Sequence, residues 1–394
     1  MNKPATCDIF CAVVDNYGDI GVCWRLAKQL AHEHGMAVRL WVDDLASFCR
    51  LCPEINPDLS MQLCRGVEIR HWSPVFPEVM PAHLVIEAFA CKLPQSYVAA
   101  MAAQEPPPVW INLEHLSAED WVAGCQKLPS PHTSLPLVKY FFFPGFTAQT
   151  GGLLLERDLL ARRDAFHRDP QAIASFWQAL GVPLSRPNEM RVSLFCYENP
   201  ALPELFTVWA AGSAPVCCLV PEGRALPQVA GFFGQAQAKA GDVFRRGSLE
   251  VRVLPFVEQE RYDELLWACD TNFVRGEDSC VRAQWAGKPF VWHIYPQHDG
   301  VHMHKLRAFM DMYCAKLPAD AAQTLRGLWE GWNGELAASS FATSGDSGQA
   351  WNEFWAHRAI LRQHAHDWAQ QLSANSLALN LLDFFCQVGK IRAS

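Results

Sequence analysis

The chain has 394 residues, half of them hydrophobic and 19% charged, and 33 Lys and Arg against 41 Asp and Glu leave a formal charge of −8. That length fits two domains with sizeable cores at ~100–200 residues each, and the acidic balance excludes a general nucleic-acid binder, which would carry a basic face. The 15 scattered cysteines predict a reducing, cytoplasmic setting, the apolar run near the start is too short for a signal-peptide core, and no stretch approaches the ~18 apolar residues of a membrane span.

Residues 7–15, CDIFCAVVD, make a continuous apolar and β-branched run, the pattern of a buried strand. GVCWRLAKQLAHEHG follows, with Val22, Leu26 and Leu30 near helical spacing and Gly35 as the stop. AVRLWVDD is a second strand, ending in Asp43 and Asp44, and Cys49 and Cys52 fall in a helix beyond it. HLVIEAFAC is a third strand, and PPVWINLEHLS a fourth behind a proline-rich turn. KYFFFPGFTAQTGGLLLERD, 139–158, passes from aromatic to glycine-rich and predicts a long loop hinged at Gly151 and Gly152. GVPLSRPNEM, 181–190, is polar and proline-bearing and predicts the interdomain linker. The pattern then restarts with MRVSLFCY as a strand, LPELFTVWAAG as a helix, and APVCCLVP and LEVRVLPFV as strands. ERYDELLWAC (helix), DTNFVRG (strand), SCVRAQWAG (helix) and KPFVWHIYP (strand) complete it, and the tail from Trp351 is helical and aromatic.

Strands alternating with helices imply parallel sheets covered by helices. The expected fold is therefore α/β, with Rossmann-like domains over 1–182 and 189–355 and a helical tail over 356–394 packing back on the first. Ligands of such sheets bind beyond the carboxyl ends of the strands, here in an interdomain cleft.

Two strand-end turns stand out. The first reads DNYGDIG, 15–21, where a dinucleotide fingerprint would need three spaced glycines for pyrophosphate. Asp15 and Asp19 would repel a diphosphate, so this turn suits a general base or a cation; the plainer alternative is that Asp19 caps the following helix. The second runs VRGEDSCVRAQWAGKPF from 274. Arg275 ends a strand, and Glu277, Asp278 and Ser279 open a helix whose amides favour anions. Strand, small turn, acidic helix start, G-x-P and strand is the layout of the donor site in two-domain glycosyltransferases. The alternatives are a capped helix in an ordinary α/β unit and a surface ion pair at Arg275. Phe256 and Gln259 at another strand edge can hold a planar base, although such a Phe is often core, and Tyr197 ends the second domain's first strand.

Other clusters carry less. Cys49 and Cys52 form a C-x-x-C with no second pair at zinc spacing, and His293, His298, His302 and His304 read as solvated loop histidines before a metal site. The 15 Trp point to large cores, because no basic residues interleave with them as on a nucleic-acid stacking platform.

DIFCAVVDNYGDIGVCWRLAKQLA, INLEHLSAE, GGLLLERD, LPFVEQERYDELL, RGEDSCVRAQWAGKPFVWHIYPQ and VHMHKL resemble, in order, the protein-arginine rhamnosyltransferases that modify bacterial translation elongation factor P. The resemblance runs from about residue 8 past 310 and is loose from 318 onward. It implies a GT-B fold of two facing Rossmann-like domains, and transfer of L-rhamnose from dTDP-β-L-rhamnose to one arginine of elongation factor P. It further implies inversion at the anomeric carbon with no metal or other cofactor, with acceptor on the N-terminal domain and donor on the C-terminal one. By the same resemblance Asp19 is the general base, with Asp15 and Glu277 assisting. Tyr197, Phe256 and Gln259 match positions holding the thymidine end, Asp278 and Ser279 match donor contacts, and Arg275 with the helix start stabilises the departing diphosphate. A nucleotide-sugar epimerase, a small-acceptor transferase and a catalytically silent translation-factor binder are the alternatives; silence would not require Asp15, Asp19 and Glu277 together.

Overall fold

The structure, a computed structural model, describes residues 4–14, 17–297, 299–334 and 347–393. The chain separates into two compact units, one built from both chain ends up to Arg157 and from Leu372 onward, the other from Asp158–Gln371. The first unit runs β1 (Thr6–Cys11), α1 (Gly18–His34), β2 (Ala37–Val42), α2 (Leu45–Leu51), β3 (Met61–Cys64), β4 (Val67–His71), β5 (Leu84–Ala88) and α3 (Gln95–Ala102). It continues with β6 (Val109–Leu113), α4 (Trp121–Cys125), β7 (Pro129–Pro131) and β8 (Val138–Phe142). The second unit holds α5 (Leu159–Arg168), α6 (Pro170–Ala179), β9 (Met190–Leu194), α7 (Leu202–Ala211), β10 (Val216–Pro221), α8 (Leu226–Phe232), β11 (Val243–Arg246) and β12 (Leu249–Leu254). It goes on through α9 (Gln259–Ala268), β13 (Thr271–Arg275), α10 (Asp278–Ala286), β14 (Phe290–His293), α11 (Val301–Cys314), α12 (Ala319–Trp332), α13 (Ser347–Ala356) and α14 (Arg358–Leu372). The last helix, α15 (Leu377–Ala393), belongs to the first unit.

In the first sheet the order is β3-β4-β2-β1-β5-β6-β8-β7, and in the second β11-β12-β10-β9-β13-β14. Among the described residues only the hairpins β3–β4, β7–β8 and β11–β12 are antiparallel. Counting the parallel strands alone, both units follow the Rossmann order with the first strand central, so the expected α/β, GT-B-type pair of Rossmann-like units is what the chain forms. The central strands are legible in the sequence because they are buried on both faces: every residue of β5, β6, β9 and β13 is buried. One of the buried β1 residues is charged. Asp8 accepts both Nε and Nη2 of Arg39 at 2.6 Å, the Ala82 amide at 3.1 Å and the Tyr97 hydroxyl, so its charge is fully solvated by protein. Most of the tryptophans are core, as expected: Trp24, Trp41, Trp209, Trp285, Trp329 and Trp332 are among the largest fully buried side chains, whereas Trp121 is exposed.

Several expectations are corrected. The aromatic start of the 139–158 loop is strand: β8 pairs in parallel with β6, since a run of aromatics suits a half-buried pleat. Gly151 and Gly152 are not a hinge but a packed junction. A Cβ on Gly151 would lie 2.6 Å from the Phe142 ring, and one on Gly152, at φ +80°, would lie 2.4 Å from the Asn375 carbonyl oxygen. Leu153 then bonds the 375–377 backbone across that junction, donating its N to Asn375 O at 3.1 Å and accepting Leu377 N on its O at 2.9 Å. The 181–190 segment lies inside the second unit, held there by Arg191 Nη2 on Pro183 O at 2.5 Å and by Arg186 on Glu189 at 2.7 Å. The units divide at Arg157/Asp158 instead, because α5 and α6 dock on the second unit, Arg163 Nη1 reaching Trp285 O at 2.8 Å and His167 Nε2 lying 3.0 Å from Trp267 O. Of the 356–394 tail, α14 stays with the second unit and α15 returns to the first, where Phe384 meets the rings of Tyr140 and Phe142.

The positive φ and the close approach at Gly152 leave no room for a side chain. Gly152→Ala is expected to cost about 1–3 kcal/mol, read as a lower urea midpoint at unchanged slope; an unchanged midpoint would show that the junction gives way easily.

Candidate active site

In each unit the central strand and its neighbour toward the later strands send their connections to opposite faces. That opens a crevice at their carboxyl ends. In the first unit these strands are β1 and β5, and the crevice is bordered by the turn from Cys11 into α1. In the second unit they are β9 and β13, bordered by Phe195–Tyr197 and by the turn from Arg275 into α10. Both turns singled out in the sequence thus sit where the fold places ligands.

The first turn is built around carboxylates. The helix starts at Gly18, three residues earlier than its apolar spacing suggests, so Asp19 falls in its first turn. Asp19 is 6% exposed, and its Oδ2 accepts the Val14 amide at 2.8 Å. It therefore does not cap α1, whose N-cap residue is Tyr17; it reaches back and fixes the turn, and the helix N-terminus favours its charge. Asp43, at the end of β2, holds the next amide along, Val13 N at 2.9 Å. Asp15 lies outside the described residues. Beneath the turn, Cys11 shares a hydrogen bond with Cys23, which together with burial pushes its thiol pKa well up. Such a thiol is inert as a nucleophile. No cysteine is paired in a disulfide, Cys49 and Cys52 included.

The second turn is locked from several sides. Gly276 adopts φ +63°, which glycine tolerates without strain. Its carbonyl accepts Trp292 Nε1 at 2.8 Å. Ser279 closes the turn, its hydroxyl donating to Arg275 O and accepting Arg275 N at 3.1 Å. Arg275 is no surface ion pair: it is 6% exposed, its Nη1 donates to Cys196 O at 3.2 Å, and its guanidinium lies 4.3 Å from the Phe195 ring centre and 4.8 Å from that of Tyr197. Glu277, the N-cap residue of α10, and Asp278 are half-buried.

Phe256 and Gln259 come from the end of β12 and the start of α9, Phe256 half-buried and Gln259 buried. Two rungs join α9 to α10. Gln259 Nε2 donates to Asp278 Oδ2 at 3.3 Å, and one helical turn further along each helix Arg282 grips Asp263, Nε to Oδ1 at 2.9 Å and Nη2 to Oδ2 at 2.7 Å. The second rung is buried, with side chains 1% and 3% exposed. The structure therefore brings Tyr197, Gln259, Arg275, Asp278 and Ser279 together in one connected cluster of the second unit.

Sequence reasoning missed four residues of that cluster. Phe195 carries Arg275 on its ring, Arg224 lies 5.9 Å from the Tyr197 ring centre, and Tyr295 and His293 stack edge-on against Tyr197 at 5.5 and 5.2 Å. Their signal was position: Phe195 follows the central strand β9, and His293 ends β14. His293 is no loop histidine but the 5%-exposed last residue of β14, and burial, then Arg275, pushes its pKa down to about 3. His298 lies outside the described residues, and among these no group of three or more His, Cys, Asp and Glu is placed to hold a metal ion. No described helix is long and apolar enough to cross a membrane.

Removing one partner of the Asp263–Arg282 pair strands a buried charge. Arg282→Met is expected to destabilise by ~3–5 kcal/mol, with most of that recovered when Asp263→Leu is added; denaturant midpoints of the single and double variants decide it. His293 is neutral when folded but takes up a proton below its ordinary pKa when unfolded. Stability from this residue is therefore complete above about pH 6.5 and falls as the pH drops toward its folded value. Between roughly pH 7 and 5.5 the loss is about 1 kcal/mol. His293→Asn should flatten that acid-side slope in urea titrations, and an identical slope would rule the contribution out.

The family model for the elongation factor P (EF-P) rhamnosyltransferase EarP matches residues 7–386, so it extends through the segment beyond 318 where the resemblance is loose. The chain is 51% identical over 382 residues to the protein-arginine rhamnosyltransferase of Pseudomonas putida, covering 97% of this chain and 98% of that protein. It is 48% identical to the same-named protein of Pseudomonas aeruginosa, covering 97% and 99%. It also resembles, at TM-score 0.69 and 40% identity over 97% of this chain and 99% of the other, a solved structure described as the structural basis for EarP-mediated arginine glycosylation of translation elongation factor EF-P. With its strand-end turns and its two Rossmann-like units matching over nearly their whole length, the chain belongs to the elongation factor P rhamnosyltransferase (EarP) family.

Proposed function

We propose that this glycosyltransferase moves L-rhamnose from dTDP-β-L-rhamnose to one arginine of elongation factor P, inverting the anomeric carbon, in the cytoplasm and without a metal ion. The observation that carries the reading is the acidic turn at the first unit's crevice, where Asp19 stands buried in a place that phosphate-binding folds reserve for glycines. A carboxylate there suits a cationic acceptor. Arginine's pKa is above ~12, so its nitrogen must lose a proton as it attacks. In the proposed step the nitrogen forms a bond to the anomeric carbon, the bond from that carbon to the diphosphate oxygen breaks, and the proton passes to Asp19. The products are the rhamnosylated arginine and dTDP. Asp15 and Glu277 assist by holding the guanidinium, for which paired carboxylates are geometrically matched.

The donor belongs to the second unit in this reading. Tyr197, Phe256 and Gln259 hold the thymidine end, and Asp278 and Ser279 contact the donor. Arg275 and the α10 amides stabilise the charge that develops on the leaving diphosphate. The buried setting of Arg275 supports that role, since a cation removed from bulk water acts more strongly on a nearby anion.

Incubation with dTDP-β-L-rhamnose and unmodified elongation factor P should add one deoxyhexose to the acceptor's intact mass, at a single arginine. Asp19→Asn keeps an oxygen to accept Val14 N, so the turn survives. Its turnover should nevertheless fall by at least ~10²-fold, while dTDP binding measured by calorimetry stays unchanged. Turnover close to wild type would remove Asp19 from the base role; an acceptor of unchanged mass with dTDP still bound would remove elongation factor P as acceptor.

A further inference from the structure

A cavity of about 440 Å³ lies at the other end of α10, lined by side chains of α5, α14 and the short link from α10 to β14. Its polar wall is basic: Arg163 and His167 from α5, Lys288 from the link, Arg362 and His366 from α14. The one carboxylate on the wall, Asp164, is already engaged by Arg163, Nε to Oδ1 at 2.9 Å and Nη2 to Oδ1 at 2.8 Å.

Lys288 is the unusual member. It is 7% exposed, yet among the described residues it makes no hydrogen bond and no ion pair within 4.0 Å. Its stem is buried while its ammonium is left at the cavity wall, where an apolar residue would have filled the stem's place without bringing a charge. Arg362, exposed on its helix, likewise has no hydrogen-bond or ion-pair partner among the described residues and faces the same cavity. The crowding of cations registers on Lys288, whose pKa is pushed down to about 8 by burial and then by Arg362, with Arg163 adding to it and Asp270 and Cys269 offsetting part. His167 is lowered too, by burial and then by Lys288.

We propose that this cavity is a second anion site, which takes a phosphate group either as the free ion or as the end of a small ester. Lys288 supplies a point charge and Arg362 a donor fork, the two ways side chains bind phosphate. The site is separate from the donor end of α10. Nine residues of helix, ~14 Å, stand between Glu277 and Gly287. It joins the helix by which the chain enters the second unit, α5, to the one by which it leaves, α14. A bound phosphate would cross-link the two.

The test uses thermal unfolding of the full chain in sodium phosphate, and separately in glycerol 3-phosphate, each against sodium chloride at equal ionic strength. Phosphate should raise the midpoint by mass action, and Arg362→Glu, on an exposed helix face, should weaken the apparent affinity about tenfold or more. Lys288→Met should do the same. An ester at least as effective as free phosphate identifies a phosphorylated end group, and a weaker one the free ion. No midpoint shift with either compound, or equal shifts in wild type and Arg362→Glu, overturns the proposal.

Discussion

The second unit depends on one buried ion pair. Asp263 and Arg282 stand 19 residues apart in the chain, on α9 and α10, and meet with bidentate geometry out of solvent. Such a pair adds little net stability over an apolar replacement, because desolvating both charges offsets most of the attraction. What it fixes is register. With Arg282 on Asp263, the residues one turn earlier, Asp278 and Gln259, face each other, and the acidic start of α10 is placed against the start of α9. Two further locks, Ser279 on the Arg275 backbone and Trp292 on the Gly276 carbonyl, then leave the turn one conformation. A site meant to stabilise developing charge gains from such rigidity, since no reorganisation is needed at the moment of reaction.

The first unit treats two of its buried carboxylates, Asp8 and Asp19, in contrasting ways. Asp8, on the first half of β1, is enclosed by a guanidinium, a phenol and an amide. Asp19, near the other end of that strand, spends one oxygen on a backbone amide of the turn it stabilises. The first carboxylate ties strand to strand and helix; the second is carried by a turn at the carboxyl end of the sheet, where Rossmann-like folds do their chemistry.

Much of this was legible in the sequence. The central strands announced themselves as unbroken apolar runs, Gly35 ended α1 with the left-handed φ expected of a helix stop, and both strand-end turns fell at crevices. The parts that stayed hidden share a cause: their reason lies in contacts between distant residues. Asp263 and Arg282 look like ordinary helix charges until the two helices are laid together. Gly152 looks like a flexible spot until the Asn375 carbonyl is seen against it. The hairpin β3–β4 escaped because β3 is a four-residue edge strand whose exposed positions are the apolar Met61 and Leu63, although Arg65 and Gly66, both at positive φ, form its turn. Lys288 reads as an unremarkable residue between a helix and a strand, and only its burial sets it apart.

The return of α15 to the first unit has a consequence for how the protein is made. The first sheet is completed by residues synthesised after the whole second unit: Leu377 bonds to Leu153, and Phe384 packs on β8. The second unit is thus an insertion within the first. On a ribosome that releases the chain from its N-terminus, the host's eight strands emerge first, but the inserted unit is complete before its host is, because α15 follows α14. The first sheet must wait, one flank uncovered, until α15 emerges. A stop codon in place of Asn375 would spare every residue of the donor cluster and leave the unit that carries Asp19 without α15.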